Sequence, residues 1–201
     1  MYAMVATRPH IAHAVGVVNR FLHNSGRLHR NIVKHVFRCL VGTKDHGILF
    51  GLNNTSGVAG YSNSDFAGCV ESRKSTTGYY FKFGNGTISW KSKLQECTST
   101  STTEAKYVAA SDAAKEVLWL DRLSHMFRQV NSDSAPIVYN DSQGVVALSK
   151  NPVHYNALKH IDVRYHFVQD CIISGKIGLE KISTVDNVAN GMTKCLSADR
   201  F

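Results

Sequence analysis

The sequence predicts an α/β fold in which a mixed five-stranded sheet is flanked by helices and preceded by a short helical N-terminal segment. Two observations carry this prediction. After residue 57, strand and helix patterns follow one another in the order β-β-β-α-β-α-α-β-α, which fits a mixed sheet with helices packed against it. Before residue 50, apolar residues recur at helical spacing instead. A chain of 201 residues is long enough to bury a real core.

The N-terminal quarter of the chain predicts two amphipathic helices and one short strand. Apolar residues lie at helical spacing over residues 10–23 and 29–41, and Gly26 and Gly42 favour the two helix ends. The apolar residues GILF at 47–50 are the strand candidate. Helices this short cannot bury their apolar stripes alone, so they need the downstream domain, a missing domain or a partner.

A polar linker, NNTSG at 53–57, marks the predicted boundary between two parts of the chain. Clusters of Asn, Ser, Thr and Gly between periodic segments are typical of loops. The prediction therefore separates a helical segment, residues 1–52, from an α/β domain, residues 57–201.

Three strands open the α/β domain, and the longest helix follows them. Residues 58–63, 77–83 and 87–91 carry strand patterns. The residues GNG at 84–86 join the last two strands as a hairpin, because a tight turn needs positive φ. Residues 102–129 keep an apolar face at helical spacing, which predicts a long helix.

The last third of the chain alternates between strand and helix. The residues IVYN at 137–140 predict a buried strand, and a serine in capping position favours a helix over 142–150. Residues 159–173 predict a further helix, residues 177–182 a strand and residues 185–194 a final helix. These elements complete the five strands that are expected in the sheet.

Positive charge is concentrated near the N-terminus. The net charge is +8. Residues 1–50 contain seven Lys or Arg and one acidic residue, whereas residues 51–201 contain 16 basic and 14 acidic residues. A basic segment favours nucleic acid or another polyanion through counterion release, and a solvated helix face is the alternative interpretation. The residues expected to contact nucleic acid are Arg20, Arg27, Arg30, Lys34 and Arg38.

Several classes of protein do not fit the sequence. No apolar run approaches the roughly 18 residues of a transmembrane helix, so no membrane contact is expected. Arg8 and Pro9 interrupt the apolar start, so a standard secretory signal is not predicted. The five cysteines are scattered without CxxC spacing, which favours neither a disulfide framework nor a zinc site. The sequence also lacks a Gly-rich phosphate loop and the G-x-S-x-G pattern of serine hydrolases.

Four segments resemble the ribonuclease H domain that ends Ty1/copia-type retrotransposon polyproteins. They are GYSNSDFAG at 60–68, STTEAKY at 101–107, IVYNDSQ at 137–143 and TVDNVANGMTK at 184–194. Two further stretches, ATRPHIAHAVGVVNRF and GTKDHGILF, resemble the C-terminal end of the reverse transcriptase in the same family. The resemblance implies a ribonuclease H-like fold for residues 57–201 and a remnant of the transcriptase tail for residues 1–52.

The resemblance also implies a catalytic site that has degenerated. The family gathers Asp, Glu, Asp and Asp around two Mg²⁺ ions for two-metal hydrolysis. The matching positions here are Asn63, Glu104, Asp141 and Asn190. An Asn carbonyl can touch a metal, but it brings no charge to a cation that prefers anionic oxygen. We therefore expect no catalytic residue, no metal and no cofactor at these vestigial positions, although the intact family uses Mg²⁺.

Charged residues near the vestigial positions bear on metal binding. Asp65 lies two residues after the first asparagine, and Asp186 lies four residues before the second. Each shares a face with its asparagine if the strand or helix is regular. Together with Glu104 and Asp141 they are the candidate metal ligands. Lys106 stands where the family has an acid, which weakens the site further.

The resemblance supports three hypotheses of function. The first is a non-catalytic, exapted scaffold that acts as a binding module, in its most specific form a secreted RxLR-type pathogen effector that suppresses host plant cell death. The chain resembles oomycete effectors of copia origin, and Arg20, Phe21, Leu22 and His23 come close to their RxLR translocation motif. The second is a residual ribonuclease H that cleaves RNA in RNA/DNA hybrids. The third is a non-functional transposon remnant with non-specific nucleic-acid affinity.

These hypotheses differ in partner and in location. The binding module requires a host or cellular protein that the sequence does not identify, and nucleic acid bound without sequence preference is the other expected partner. An effector would be secreted into the host cell and act in its nucleus or cytoplasm. The residual ribonuclease H and the transposon remnant would both be intracellular.

Overall fold

The computed structural model describes residues 2–51, 57–127, 135–150 and 162–196. Its strands are β1 (Val58–Ser64), β2 (Thr76–Phe83), β3 (Gly86–Leu94), β4 (Ile137–Asn140) and β5 (Gly178–Lys181). Its α-helices are α1 (Tyr2–Ala6), α2 (Ala12–Asn19), α3 (Arg27–Gly42), α4 (Thr102–Met126), α5 (Gln143–Lys150) and α6 (Asp162–Ile173). Short 3₁₀ turns include Pro9–Ile11, Leu22–Asn24 and Val188–Met192. No helix within the described ranges is both long and apolar enough to cross a bilayer.

The five strands form one mixed sheet in the order β3-β2-β1-β4-β5. Strands β1, β2 and β3 pair antiparallel, whereas β4 pairs parallel with both β1 and β5. Gly84, with φ 57°, is the first residue of the two-residue turn between β2 and β3. The predicted α/β class, the mixed five-stranded sheet and the hairpin are therefore confirmed.

The core lies between one face of the sheet and helix α4. The helix begins after Ser101, whose hydroxyl oxygen accepts a hydrogen bond from the Glu104 backbone N at 3.1 Å. Tyr107 and Val117 of this helix are almost fully buried, as is Phe81 of β2. Helices α5 and α6 add side chains to the same cluster. Because α4 is packed along its length, the position of its first turn relative to the end of β1 is fixed.

The N-terminal segment packs against the edge of the sheet at β3. Trp90 Nε1 donates a hydrogen bond to the Met4 carbonyl oxygen at 2.7 Å. Arg20 Nη2 donates to Thr76 Oγ1 at 3.3 Å. The downstream domain therefore supports α1 and α2, which is one of the three kinds of support that the helices were expected to need. Helix α3 packs against α2 instead and has no buried residue.

Two predictions for the N-terminal segment are wrong in detail. The helix predicted over 10–23 is shorter (Ala12–Asn19), because 3₁₀ turns replace both of its ends. Residues 47–50 do not form the predicted strand. A Cβ added at Gly86 would lie 2.1 Å from the Phe50 ring, so this segment crosses the hairpin rather than pairing with β3. Helix α1 was missed by the sequence patterns.

The final helix predicted over 185–194 is a 3₁₀ turn of five residues, Val188–Met192. Asn187 precedes it, and its side-chain oxygen accepts a hydrogen bond from the Ala189 backbone N at 3.1 Å. The amide nitrogen of the same side chain donates to the Ser62 carbonyl oxygen at 3.1 Å. Because Asn187 is tied to β1 in this way, the turn begins after it and the longer helix does not form.

Two other predicted helices extend into segments outside the described residues. These are the last two residues of the helix predicted over 102–129 and the first three of the helix predicted over 159–173. Within the described ranges both helices form, as α4 and α6. The remaining predicted strands and the helix over 142–150 lie within a few residues of their observed bounds.

Gly78 of β2 leaves room for the 3₁₀ turn to pack on the sheet. An added Cβ would lie 2.7 Å from both Met192 Cβ and Thr193 Cγ2, and 3.1 Å from the Ala189 carbonyl oxygen. Gly78→Ala should therefore lower the free energy of unfolding by about 1–3 kcal/mol, because the turn must move. Urea unfolding followed by circular dichroism measures the change. Gly42→Ala is the control, since its added Cβ meets no atom within 4 Å; equal losses in both variants would contradict the prediction.

Candidate functional site

The four vestigial positions lie around the carboxyl ends of β1 and β4. Asn63 is the penultimate residue of β1, and Asp141 directly follows β4, its parallel neighbour. Asn190 reaches this edge from the 3₁₀ turn. Glu104 lies in the first turn of α4 beside Ala105, and the Gln95 amide joins the Ala105 carbonyl oxygen to Ser64 Oγ at the end of β1. The structure thus places all four positions at one edge of the sheet.

Asn63 and Asn190 form a hydrogen-bonded amide pair. Asn63 Nδ2 donates to Asn190 Oδ1 at 2.8 Å. Asn63 Oδ1 accepts from the Ser64 backbone N at 2.8 Å, and Asn190 Nδ2 donates to the Thr184 carbonyl oxygen at 2.5 Å. The two asparagines are only 4% and 7% exposed. An amide can donate as well as accept, so this pair is satisfied without a cation, whereas two carboxylates could only accept.

The Glu104 carboxylate is bound to the residues that precede α4. Its Oε2 accepts hydrogen bonds from the backbone N and from Oγ1 of Thr100, each at 2.6 Å. Glu104 is 1% exposed and occupies the third position of the helix after the Ser101 cap. A glutamate at this position, reaching back toward the helix start, resembles a capping box. One of its oxygens therefore stabilises the helix N-terminus.

The Asp141 carboxylate is paired with Lys106. Lys106 Nζ lies 2.8 Å from Asp141 Oδ1, and the two side chains are 17% and 2% exposed. Lys106 belongs to the second turn of α4, so the packed helix carries the ammonium group to the end of β4. This short contact between a half-buried ammonium and a buried carboxylate is a charge-assisted hydrogen bond. Lys106 thereby offsets one of the two negative charges that remain at the vestigial positions.

Three further amide side chains hold this edge together. Gln95 Nε2 donates to Thr77 Oγ1 and to the Ala105 carbonyl oxygen, each at 3.0 Å. Asn140 Nδ2 donates to Ser62 Oγ at 3.0 Å, and Asn187 donates to the backbone of the same serine. None of the three residues was predicted from the sequence. Asn140 ends a predicted strand and Asn187 lies three residues before Asn190, so their type and place were a signal, whereas Gln95 had none.

Asp65 does not share a strand face with Asn63 as expected, because it lies beyond the end of β1. Strand β1 ends at Ser64, and the Asp65 carboxylate accepts a hydrogen bond from the Thr76 backbone N. Burial raises the pKa of Asp65, while the hydrogen bonds from Thr76 and the nearby His13 and Arg20 oppose that rise. Asp65 therefore anchors the loop after β1 beside the N-terminal segment.

His13 is a neighbour of Asp65 that no sequence pattern predicted. Burial, followed by the charge of Arg20, lowers the pKa of His13, and Asp65 acts in the opposite direction. His13 Nδ1 also lies 3.4 Å from Ser92 Oγ of β3. These contacts bring helix α2 close to the vestigial edge.

Asp186 lies before the 3₁₀ turn and is exposed. Its carboxylate accepts a hydrogen bond from Ser183 Oγ at 2.5 Å, and its backbone N donates to the same oxygen at 3.2 Å. The expected helical spacing to Asn190 is not realised, because no α-helix forms here. Within the described residues, neither Asp186 nor Asp65 is hydrogen-bonded to the amide pair. Metal binding by either acid stays a prediction.

The basic residues divide into two groups. Arg27, Arg30, Lys34 and Arg38 are exposed along α3, where their spacing places them on one face. Arg20 is separate, at the C-terminal end of α2, and is bonded to Thr76. The nucleic-acid prediction therefore concerns a four-residue stripe on α3.

The RxLR-like residues are part of the folded N-terminal segment. The Phe21 ring stacks on His29 with ring centroids 4.3 Å apart. Leu22 and His23 are exposed in the 3₁₀ turn Leu22–Asn24. Arg20 is half-buried and hydrogen-bonded to Thr76, so it is less accessible to a receptor than Leu22 and His23.

Comparison with known proteins identifies relatives over the whole chain. No family model matches. All 201 residues align, at 45% identity, with the retrovirus-related Pol polyprotein from transposon TNT 1-94 of Nicotiana tabacum, of which the chain spans 15%. A stretch of 120 residues, 60% of the chain, is 45% identical to secreted RxLR effector protein 161 of Plasmopara viticola and covers 84% of that protein.

The fold has a solved counterpart. The structure of LC11-RNase H1, isolated from compost by a metagenomic approach, aligns with 69% of this chain and 93% of its own, with a TM-score of 0.51 and 12% identity. At this identity the likeness concerns the fold alone. It confirms the expected ribonuclease H-like arrangement of the sheet and its helices.

Removal of the Lys106 ammonium tests how strongly the vestigial edge depends on it. Lys106→Ala should lower the free energy of unfolding by about 3 kcal/mol, because a buried Asp141 carboxylate loses its cation. The control is Lys91→Ala, whose 3.5 Å pair with Asp112 joins side chains that are 34% and 24% exposed. That variant should lose no more than about 1 kcal/mol. Urea unfolding of both variants measures the difference, and equal effects would contradict the assigned role of Lys106.

Proposed function

The chain belongs to the family of copia-type retrotransposon Pol polyproteins, and we propose that its ribonuclease H-like domain is a non-catalytic binding module. One observation carries this proposal: the 2.8 Å contact between Lys106 Nζ and Asp141 Oδ1. Asp141 matches a metal-ligand position of the family, and its oxygen is bound to an internal cation. The bonded pair of Asn63 and Asn190 lies at the same edge.

Electrostatics argue against two-metal hydrolysis at this edge. The mechanism needs two divalent ions about 3.5–4 Å apart, one to activate water and one to stabilise the leaving oxygen. A divalent ion about 4 Å from the Lys106 ammonium would meet a repulsion of about 8 kcal/mol at an effective dielectric constant of 20. Rotation of Lys106 away would relieve this repulsion. The two asparagines would still bring no negative charge to the ions.

The binding surface that we propose for polyanions is the basic stripe on α3. Arg27, Arg30, Lys34 and Arg38 are exposed, and α3 contains no acidic residue. A helix of this charge would attract nucleic acid through its phosphates, without reading its sequence. Leu28 and Phe37 flank the stripe and are also exposed. An apolar flank beside a basic stripe also suits a protein partner with an acidic and apolar surface.

In its most specific form, the proposal is that the chain acts as a secreted effector in plant cells and suppresses host cell death. The name of one relative, secreted RxLR effector protein 161, supports this form. The chain spans only 15% of the transposon polyprotein that it matches over its full length. The activity of that polyprotein is therefore no guide to what this chain does by itself.

Restoring the missing charges tests the loss of metal binding. The triple variant Asn63→Asp, Asn190→Asp and Lys106→Glu should bind Mn²⁺ at two sites, whereas the wild type should bind none at millimolar Mn²⁺. The triple variant should also bind more tightly than the double variant that keeps Lys106, by about tenfold or more, because the ammonium repels the ions. Isothermal titration calorimetry measures both differences and does not depend on an intact substrate groove.

Cleavage of an RNA/DNA hybrid provides the second readout. The wild type should give no product at micromolar protein with Mg²⁺ or Mn²⁺. Product that disappears in Glu104→Gln would instead support the residual ribonuclease H. If the triple variant binds metal and remains inactive, the substrate groove has also been lost, and the non-catalytic assignment stands.

Expression in plant leaf cells tests the effector form. The wild type should reduce the cell death that an elicitor triggers, and the variant Glu104→Gln with Asp141→Asn should reduce it equally, because binding does not need these carboxylates. Ion leakage from the leaf measures the response, and a melting curve of the purified variant verifies its fold. A response that requires both carboxylates in a folded variant would contradict a binding role, and the absence of any response would contradict the effector form.

A further inference from the structure

A polar cavity is lined in part by Gln95, whose amide nitrogen also donates to Ser64 Oγ at the end of β1 at 3.3 Å. Its volume is about 350 Å³, which lies toward the small end of the range for ligand sites, roughly 300–1,000 Å³. It is bounded by the end of β3, one face of α4 and the start of α6. The described lining residues include none of the four vestigial positions. The cavity therefore adjoins the vestigial edge through Gln95 and Thr77 without including the vestigial positions themselves.

The cavity is lined by more positive than negative charge. Its cationic residues are Lys91, Lys93, Lys115 and Arg164, and its acidic residues are Glu96 and Asp112. Each acid is paired with a lysine of β3 at 3.5 Å. Lys115 and Arg164 have no carboxylate partner among the described residues. These two cations are therefore available to an anionic ligand.

Lys115 and Arg164 lie on two helices, α4 and α6. Lys115 lies on the same face of α4 as two other lining residues, Val108 and Asp112, at spacings of seven and three residues. Its Nζ is 5.8 Å from the centroid of the Phe167 ring of α6, a cation–π distance that favours one side-chain position. Arg164 lies one helical turn before Phe167 on α6. The guanidinium and the ammonium thus approach the cavity from neighbouring helices.

One wall of the cavity is formed by Gln95, whose side chain is held in place by hydrogen bonds. Gln95 is 6% exposed, and its amide nitrogen is committed to Ser64, Thr77 and Ala105. Its amide oxygen accepts from Ser99 Oγ at 3.2 Å. A preformed wall lowers the entropic cost of binding. An apolar surface, from Leu94 and the buried Val108, lies beside the cations.

We propose that this cavity binds a phosphate group. A guanidinium presents paired N–H donors that match two phosphate oxygens, and an ammonium adds a point charge. The apolar wall would accommodate the organic part of a phosphate ester. This site is independent of the proposed loss of hydrolysis, because it shares none of the vestigial residues and needs no metal ion. The phosphate belongs either to a free phosphate compound or to a nucleic-acid strand.

Calorimetric titration with inorganic pyrophosphate, without added metal, tests the site. Lys115→Gln with Arg164→Gln should weaken the binding of pyrophosphate by roughly tenfold or more, since two charge-assisted contacts are lost. The matched control is Arg122→Gln with Lys176→Gln, which removes the same charge from exposed positions outside the cavity. The control should bind pyrophosphate as the wild type does.

A parallel titration with a single-stranded RNA 12-mer distinguishes the two sources of phosphate. If the cavity variant loses affinity for both ligands, the natural ligand is a nucleic-acid strand; if it loses affinity for pyrophosphate alone, the ligand is a free phosphate compound. Both results support the site. Equal losses in the cavity and control variants would overturn it, as would unchanged pyrophosphate binding in the cavity variant.

Chemical-shift mapping on the wild-type chain makes the test independent of how the variants fold. Pyrophosphate should shift the backbone amide signals of Gln95, Lys115 and their neighbours. Shifts confined to the α3 stripe, or no shifts at millimolar pyrophosphate, would overturn the assignment to this cavity.

Discussion

Buried polar groups at the carboxyl end of β1 must each find a partner, and the arrangement of the surrounding chain follows from this constraint. The last three residues of β1 are polar and buried. Four amide side chains from other parts of the chain bond to them: Gln95, Asn140, Asn187 and Asn190. These amides come from the segment before α4, from β4 and from the region of the 3₁₀ turn. The end of one strand thus determines where three other segments lie.

The same constraint accounts for the partners of the four vestigial positions. A cluster of four carboxylates at this edge would need cations to offset its repulsion. Here two positions are amides that bond to each other, and Asp141 is bonded to Lys106. Glu104 contributes to the N-terminus of α4. Hydrogen bonds and one ion pair within the chain therefore stabilise this edge locally.

Local patterns predicted the fold better than they predicted the site. The sheet followed from strand periodicity and from the turn at Gly84, which depend on near neighbours along the chain. The strand expected at 47–50 does not form, and the Phe50 ring packs on the hairpin at Gly86. The helix expected over 185–194 failed because the Asn187 side chain bonds to β1. The Asn63–Asn190 contact joins residues 127 positions apart, and no periodicity carries that information.

The vestigial positions were identified because four segments resemble the family in sequence. That resemblance does not say which side chains contact them, and the structure supplies those contacts. Lys106 is an example. The sequence shows only that a lysine stands where the family has an acid, whereas the structure shows that its ammonium pairs with Asp141. The remaining positive charge lies elsewhere, on the exposed face of α3 and around the cavity beside α4. A polyanion attracted to those surfaces would be held without meeting a pair of divalent ions. In the function that we propose, affinity for such a polyanion without a hydrolytic step is the physical basis of the binding module.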